Sequence, residues 1–249
     1  MSMTSGRESD SAPTPELFRK YAHAVHRIVE EQYRISTDRL TDGPAEQDVL
    51  ELVIGEVKPS LPAAAASLHH LLGTPFRYGY WKETRFRRAS ERPGVFYASE
   101  KESTAVAEAA FYLMRFFAAA PGVVLPTSNV ERFGFSIPVK VDRALDLAIS
   151  PLDKSRSSWT NGEDYTACQD FASAARTIEA QLIRYESVRD HNRGANVAIF
   201  DPSAFQKPVP NAERAWHFRF KDRALTAFGA GEPTVRYDFT FAQFELSNP

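Results

Sequence analysis

The feature that most constrains the fold of this chain is a set of segments whose apolar residues occupy every second position. The clearest segment places apolar side chains at Phe133, Phe135, Ile137, Val139 and Val141. A period of two is typical of a strand with one buried face, so we predict a strand over 133–141. Because Pro138 cannot donate to a ladder, it predicts a strand at a sheet edge. The alternations at 216–220 and 235–241 and the short apolar runs at 95–98 and 197–200 predict four more strands.

Other segments repeat their apolar residues at three- and four-residue spacing, which predicts helices. In the first third of the chain these are 16–35, 45–57 and 61–72, the last ended by Gly73 and Pro75. Further along, Ser99 and Glu102 have the spacing of a capping box for a helix that reaches about Phe117. A later helix is predicted from Tyr165 to about Ile183.

Strands separated by helices of unequal length predict a mixed α+β fold. We divide the chain into a disordered tail at 1–14, a helical N-terminal segment at 15–73 and a catalytic domain at 74–249. The tail is assigned because it is polar and rich in Ser, Thr and Pro.

Composition narrows the class of protein. The net charge is -2 at pH 7, which argues against a surface that coats nucleic acid. Cys168 is the only cysteine, so neither an intrachain disulfide nor a cysteine-based zinc site is expected. The polar start resembles no signal peptide, and no run approaches the roughly 20 apolar residues of a membrane span. We therefore expect a cytoplasmic protein that does not enter membranes.

Glu108 is the sharpest anomaly in the pattern. It lies on a helical stripe that is otherwise formed by Ala105, Ala109, Tyr112 and Phe116. A carboxylate among apolar side chains needs a partner or a function. Two interpretations stay open: a structural ion pair with a nearby arginine, or a carboxylate that faces a cleft and stabilises positive charge.

A basic segment precedes this helix. Residues 76–92 hold six Arg or Lys against two Glu, and they include Arg77 and Arg85. Guanidinium groups bind phosphate oxygens in pairs, although a solvated basic loop is the alternative. Tyr97, in a predicted strand, is either core or a ring that stacks on a flat heterocycle. Ser187 follows a predicted helix and, taken alone, is typical of a turn.

Together these residues resemble a known family, the RES domain, which is named for its Arg, Glu and Ser. The segments that carry the resemblance are Phe76-Arg77-Tyr78, Thr84-Arg85-Phe86, Gly94-Val95-Phe96-Tyr97-Ala98, Thr104-Ala105-Val106-Ala107-Glu108, Tyr185-Glu186-Ser187-Val188-Arg189-Asp190 and Gly194-Ala195-Asn196-Val197-Ala198-Ile199-Phe200. They cover about residues 74–205, in the family's order.

The resemblance implies an ADP-ribosyltransferase-like fold and a toxin of a bacterial toxin–antitoxin pair, neutralised by an Xre-type antitoxin. It implies that NAD is the substrate and that the nicotinamide–ribose bond is cleaved by hydrolysis, by phosphorolysis or with transfer of ADP-ribose to a protein. No metal is expected to be required, because the leaving pyridinium is already cationic. Contact with nucleic acid would be indirect, through the antitoxin.

The resemblance also assigns roles to residues. Glu108 would hold the ribose hydroxyls and face the oxocarbenium-like carbon as positive charge develops there. Arg77 and Arg85 would neutralise the pyrophosphate. Tyr97 would stack on nicotinamide or shape its pocket, and Ser187 would hydrogen-bond the ribose or a phosphate.

Two other functions remain open at this point. A protein ADP-ribosyltransferase on the same fold would differ only in the acceptor of ADP-ribose. A nucleic-acid-binding module would use the basic segment and its aromatic residues. Such a module has no need of Glu108, because a carboxylate repels phosphate.

Overall fold

Residues 12–30, 43, 46, 59–79, 81–120 and 122–247 are described by the computed structural model. Among them eight strands form one mixed sheet: β1 (Arg19–Glu30), β2 (Phe96–Ser99), β3 (Val130–Asp146), β4 (Leu182–Glu186), β5 (Ala195–Ile199), β6 (Asn211–Lys221), β7 (Ala224–Gly229) and β8 (Val235–Thr240). The α-helices are α1 (His70–Arg77), α2 (Glu102–Ala118), α3 (Arg156–Trp159) and α4 (Thr166–Thr177). The predicted mixed α+β class is confirmed.

Five of the strands close into a ring. The order is β1-β2-β5-β4-β3, and β3 pairs back onto β1. The β3–β4 pair is parallel, whereas the other pairs are antiparallel. Strand β3 is long enough to pair with β6 over 130–136 and with β4 over 144–146 on its second edge. The hairpins β6–β7–β8 therefore extend the sheet outward from the ring.

The core has three parts. The ring encloses a cluster that includes Phe96, Phe135 and Ile137, and Leu72 and Phe76 of α1 belong to it. A second cluster packs α4 and α3 against β4 and β5. A third packs one face of α2 against β6, β7 and β8. Helix α2 therefore lies between the ring and the outer hairpins.

The helix predicted over 16–35 is wrong, because residues 19–30 form strand β1. Tyr21, Val25 and Val29 lie on the face of β1 that points into the ring of strands. The polar Arg27 lies on the same face, with its guanidinium carbon over the aromatic side chain of Phe96. On the opposite face Ile28 packs into the cluster around α2. Because Arg27 is polar on the inner face and Ile28 is apolar on the outer face, the apolar residues of this segment do not alternate strictly. Their spacing therefore matched that of a helix. The predicted helical N-terminal segment is corrected accordingly, and the domain boundary at 73/74 stays a prediction.

The edge position predicted from Pro138 is also wrong. Strand β3 pairs with β1 along one edge, where Pro138 lies opposite Ala24. On the other edge Pro138 falls between the residues paired with β6 and those paired with β4. Its carbonyl accepts from the Gln206 backbone N–H at 3.0 Å. A proline fits this interior strand because no ladder bond requires its missing N–H.

The helix predicted over 61–72 is displaced. A 3-10 turn covers Ala63–Ala65, and α1 continues through Gly73 and Pro75 to Arg77. Burial of Leu72 and Phe76 against the ring outweighs the local signals for an end. Residues 1–11 of the tail predicted over 1–14 lie outside the described residues, and so does the helix predicted over 45–57 apart from residue 46.

Two helix ends also differ from the prediction. Ser99 is the last residue of β2, and α2 begins at Glu102 without a side-chain cap, so the capping box is wrong. Helix α4 ends at Thr177, and Glu179 has φ of 59°. A left-handed residue there ends the helix, and the following residues form β4, which the sequence pattern had merged into the helix. None of the described helices combines the length and apolarity that a membrane span requires.

Candidate active site

A cavity of about 300 Å³ opens between α2, the ring and the loop that follows β4. Its lining combines cations, aromatic rings and one carboxylate from separate parts of the fold: Arg27 of β1, Arg85, Tyr97 of β2, Glu108 and Tyr112 of α2, Tyr165, Tyr185 and Arg189. This size is near the lower end of the range for small-molecule sites.

Glu108 is held in this cavity by hydrogen bonds to one of its two oxygens. Oε1 accepts from the Ser187 hydroxyl at 2.7 Å and from Nδ2 of Asn196 at 2.6 Å. Oε2 makes no hydrogen bond with the described residues. The carboxylate therefore has one anchored oxygen and one that remains available at a wall of the cavity. No cation among the described residues forms an ion pair with Glu108, so a structural ion pair does not explain its position on the stripe.

The stripe on which Glu108 was predicted is the cavity face of α2. Ala105, Ala109 and Tyr112 line the cavity with it. Tyr112 is 60% exposed and Phe116, one turn further, is 71% exposed. The buried face of α2 is the opposite one, which contains Met114. The stripe thus faces the cavity, and its large side chains Tyr112 and Phe116 reach solvent, whereas the fully buried Met114 packs on the other side of the helix.

Ser187 is fully buried and lies directly behind Glu108. Its hydroxyl donates to Glu108, and its Oγ accepts from the backbone N–H groups of Arg189 and Asp190 at 3.2 and 3.0 Å. Asp190 in turn accepts from the Thr104 hydroxyl at 2.7 Å. The serine therefore ties the loop after β4 to α2, and it is not among the described residues that line the cavity.

Arg85 reaches the cavity from a tight turn in which Thr84 and Arg87 exchange backbone hydrogen bonds. Its Nη1 donates to the carbonyls of Trp159 and Asn161 at 2.7 and 2.8 Å. Its guanidinium carbon lies 4.7 Å from the centroid of the Tyr165 ring. Nε and Nη2 make no hydrogen bond with described residues, so they remain available to an anion.

Tyr97 holds the turn that carries Arg85. Its hydroxyl accepts from the Phe86 backbone N–H at 3.1 Å and lies 2.8 Å from the Thr84 hydroxyl. Burial raises the pKa of Tyr97. The hydroxyl is thus engaged by the turn, and Tyr97 is among the residues that line the cavity.

The cavity-facing carboxylate also acts on a neighbouring phenol. Tyr185 of β4 is buried, and burial together with the nearby charge of Glu108 raises its pKa well above the ordinary value. Tyr185 thus stays a neutral phenol at physiological pH.

Arg77 is not brought into this group. It is the last residue of α1, and it does not belong to the described residues that line the cavity. Its Nε is buried and has no hydrogen-bond partner among the described residues. Of the five residues assigned by resemblance, the structure therefore gathers Arg85, Tyr97, Glu108 and Ser187 around one cavity.

Three further polar residues of the site were missed in the sequence. Arg27 was assigned to a helix, so its place at the cavity was hidden. Arg189 lies 3.7 Å over the Phe111 ring and donates to the Gly162 carbonyl at 2.7 Å. Asn196 left a usable signal, because an amide inside the apolar run 195–199 needs a buried partner.

Comparison with known proteins gives a family match. The model of the RES domain matches residues 61–221, which is more than half of the chain. No curated protein matches the sequence. A chain of the crystal structure of the M. tuberculosis MbcT-MbcA toxin-antitoxin complex is similar at 12% identity and a TM-score of 0.44, covering 92% of this chain and 90% of that one.

Proposed function

This chain belongs to the RES domain family, and on that premise we propose that it is an NAD-consuming enzyme that cleaves the nicotinamide–ribose bond. The observation that carries the proposal is the Glu108 carboxylate, anchored through Oε1 and open through Oε2 at a cavity lined by arginines. The family match supports it, because the RES domain is associated with use of NAD.

Glu108 would act on the bond that breaks. When the bond between the ribose carbon and nicotinamide breaks, its electron pair goes to the pyridinium nitrogen and neutralises it, while the ribose becomes oxocarbenium-like. A fixed carboxylate at that carbon stabilises the new positive charge without having to reorient. Oxygen of water, or of phosphate, then bonds to the same carbon, and the water proton is released.

The arginines would bind the pyrophosphate. Arg85 is held through Nη1 alone, so its remaining nitrogens can pair with phosphate oxygens. Arg27 and Arg189 add two more cations to the lining. Arg77 stays in the proposal as a contributor to NAD binding, supported by its place in the segment Phe76-Arg77-Tyr78 that resembles the family.

Tyr97 and Ser187 have different parts. Tyr97 lines the cavity, and its ring would pack against nicotinamide while its hydroxyl secures the Arg85 turn. Ser187 is fully buried, which favours a role through Glu108 over direct contact with ribose or phosphate.

The test is to incubate the purified protein with NAD, with and without phosphate, and to measure free nicotinamide. Glu108→Gln serves as the inactive control. We expect nicotinamide from the wild type, accompanied by ADP-ribose if water is the acceptor and by phosphorylated ADP-ribose if phosphate is. Label retained on a protein would identify an ADP-ribosyltransferase instead. No nicotinamide in any arm, with a folded enzyme, would contradict NAD cleavage.

The proposal extends to the cell. An enzyme that destroys NAD harms its own cytoplasm, so we propose a toxin that an Xre-type antitoxin holds inactive. The arginine-lined cavity supports a carboxylate-bearing inhibitor by charge complementarity. Expression of the wild type alone should stop growth and deplete NAD, and either Glu108→Gln or co-expression of a neighbouring Xre-type gene should relieve both. Normal growth and NAD levels with well-expressed wild type would contradict the toxin role.

A further inference from the structure

Asn196 is a polar side chain on a strand that is otherwise apolar. It is 2% exposed, and the neighbouring Val197 is fully buried. Burying an amide is unfavourable unless its donor and acceptor are both satisfied. The partners of Asn196 therefore indicate why a polar residue occupies this strand.

Both ends of the amide are engaged. The Ser99 hydroxyl donates to Oδ1 of Asn196 at 2.6 Å, and Nδ2 of Asn196 donates to Oε1 of Glu108 at 2.6 Å. Ser99 lies directly opposite Asn196 in the β2–β5 ladder, so both side chains project from the same face of the sheet. Strand register thus delivers a donor to the carboxylate from a rigid part of the fold.

The orientation of this amide is determined by its two partners. Rotating it by half a turn would place Oδ1 against a carboxylate oxygen, and two acceptors in contact repel each other. Ser99 satisfies Oδ1 in the observed orientation only. The Glu108 carboxylate, which can only accept, therefore sets the orientation of the amide, and the Ser99 hydroxyl satisfies Oδ1 in that orientation.

Resting on the proposed function, we infer that Asn196 is a positioning residue that holds Glu108 in its reactive orientation. With a single donor such as Ser187, the carboxylate can still pivot about its one anchored oxygen. A second donor, from β5, acts on the same Oε1 and fixes the plane of the group. Oε2 is then presented to the cavity, where misplacement of the charge weakens its effect on the transition state.

The primary test compares Asn196→Ala with Val197→Ala, its neighbour on the same buried strand. Loss of a hydrogen bond to a charged group should lower kcat for NAD about tenfold to a hundredfold, while KM stays within about twofold because Asn196 acts through Glu108. Val197→Ala should lower the melting temperature and leave kcat within about twofold. An unchanged kcat in Asn196→Ala would overturn the inference.

A second arm places Asn196→Ala in the Glu108→Gln background. Residues that act as one unit give non-additive effects. If Asn196 works through the charge of Glu108, the double variant should be about as slow as Glu108→Gln alone. A further tenfold loss would show that Asn196 acts independently of Glu108 and would also overturn the inference.

If Asn196→Ala does not fold, Ser99→Ala tests the same inference. If NAD is not the substrate, NMR tests it without a measurement of activity. Ser99→Ala retains the amide and should lower kcat about threefold; an unchanged kcat would count against the inference. In the NMR arm, one side-chain amide proton of Asn196 should lie downfield and move in Glu108→Gln. Absence of that movement overturns the inference whatever the substrate, whereas a wild type inactive on NAD contradicts only the proposed function.

Discussion

The two faces of helix α2 are built on different physical principles. On the cavity face, Glu108 is fixed by hydrogen bonds from Ser187 and Asn196, and Tyr112 beside it is 60% exposed. On the opposite face, Met114 is fully buried and packs in the cluster formed with β6, β7 and β8. One helix thus separates a polar, open surface from a dry, close-packed one.

This difference indicates how the fold divides stability from chemistry. Apolar packing against the outer hairpins fixes where the helix lies. Buried donors from the other side then fix how one side chain is turned. The two contributions arise from different strands, so changes on one face should leave the property governed by the other face nearly intact.

The largest expected effect is that of Glu108→Gln. The substitution keeps the shape of the side chain and removes its charge, so NAD cleavage should fall by about 10²-fold or more. The melting temperature should stay close to that of the wild type, because the cavity face contributes little packing. Nicotinamide release and thermal unfolding, measured on the same preparation, check both.

Glu131→Gln, at an exposed carboxylate of β3 outside the cavity lining, is the matched control and should leave turnover unaltered. Near-normal cleavage by a folded Glu108→Gln enzyme would contradict the role of the carboxylate and with it the distinction between the two faces.

Met114→Ala should have the opposite profile. Truncating a fully buried methionine removes packing and leaves a cavity, which lowers the free energy of unfolding by about 2–5 kcal/mol. Activity at a temperature where the variant is folded should stay within about twofold. Denaturant unfolding and nicotinamide release give the two quantities.

The control is Phe116→Ala, two residues along the same helix. Because Phe116 is 71% exposed, its truncation should change the free energy of unfolding by less than about 0.5 kcal/mol. A Met114→Ala protein that is stable but inactive would break the proposed separation.

The comparison also shows which parts of the molecule can be predicted from the sequence. Strand β3 was predicted because apolar side chains occupy every second position from Phe133 to Val141 and therefore lie on one face. Strand β1 was not, because Arg27 and Ile28 place a polar residue on the ring side and an apolar one on the outer side. Glu108 was found because a charge interrupted a helical apolar stripe, although that stripe turned out to line the cavity.

The residues that donate hydrogen bonds to Glu108 are brought to it by the pairing of strands that are distant in the sequence. Asn196 meets it only because Ser99 pairs opposite Asn196 across β2 and β5. The position of Arg77 likewise follows from burial of α1 against the ring, whereas a local pattern had ended the helix at Gly73. Interactions between residues about 90 positions apart leave little trace in local periodicity.

The smallest effect is expected for Arg77→Lys, and it tests whether substrate binding extends beyond the cavity face. Lysine keeps the positive charge but loses the planar fork that pairs with two phosphate oxygens. Since Arg77 lies outside the described cavity lining, we expect KM for NAD to rise only about threefold to tenfold, with kcat nearly unchanged.

Arg92→Lys makes the same substitution at an exposed position of the same basic segment and should leave both constants as they are. Steady-state kinetics on the three proteins gives the answer. Equal KM values for wild type and Arg77→Lys would remove Arg77 from the proposed site and restrict NAD binding to the residues around Glu108, whereas a loss in kcat as large as that of Glu108→Gln would place Arg77 at the reacting atoms.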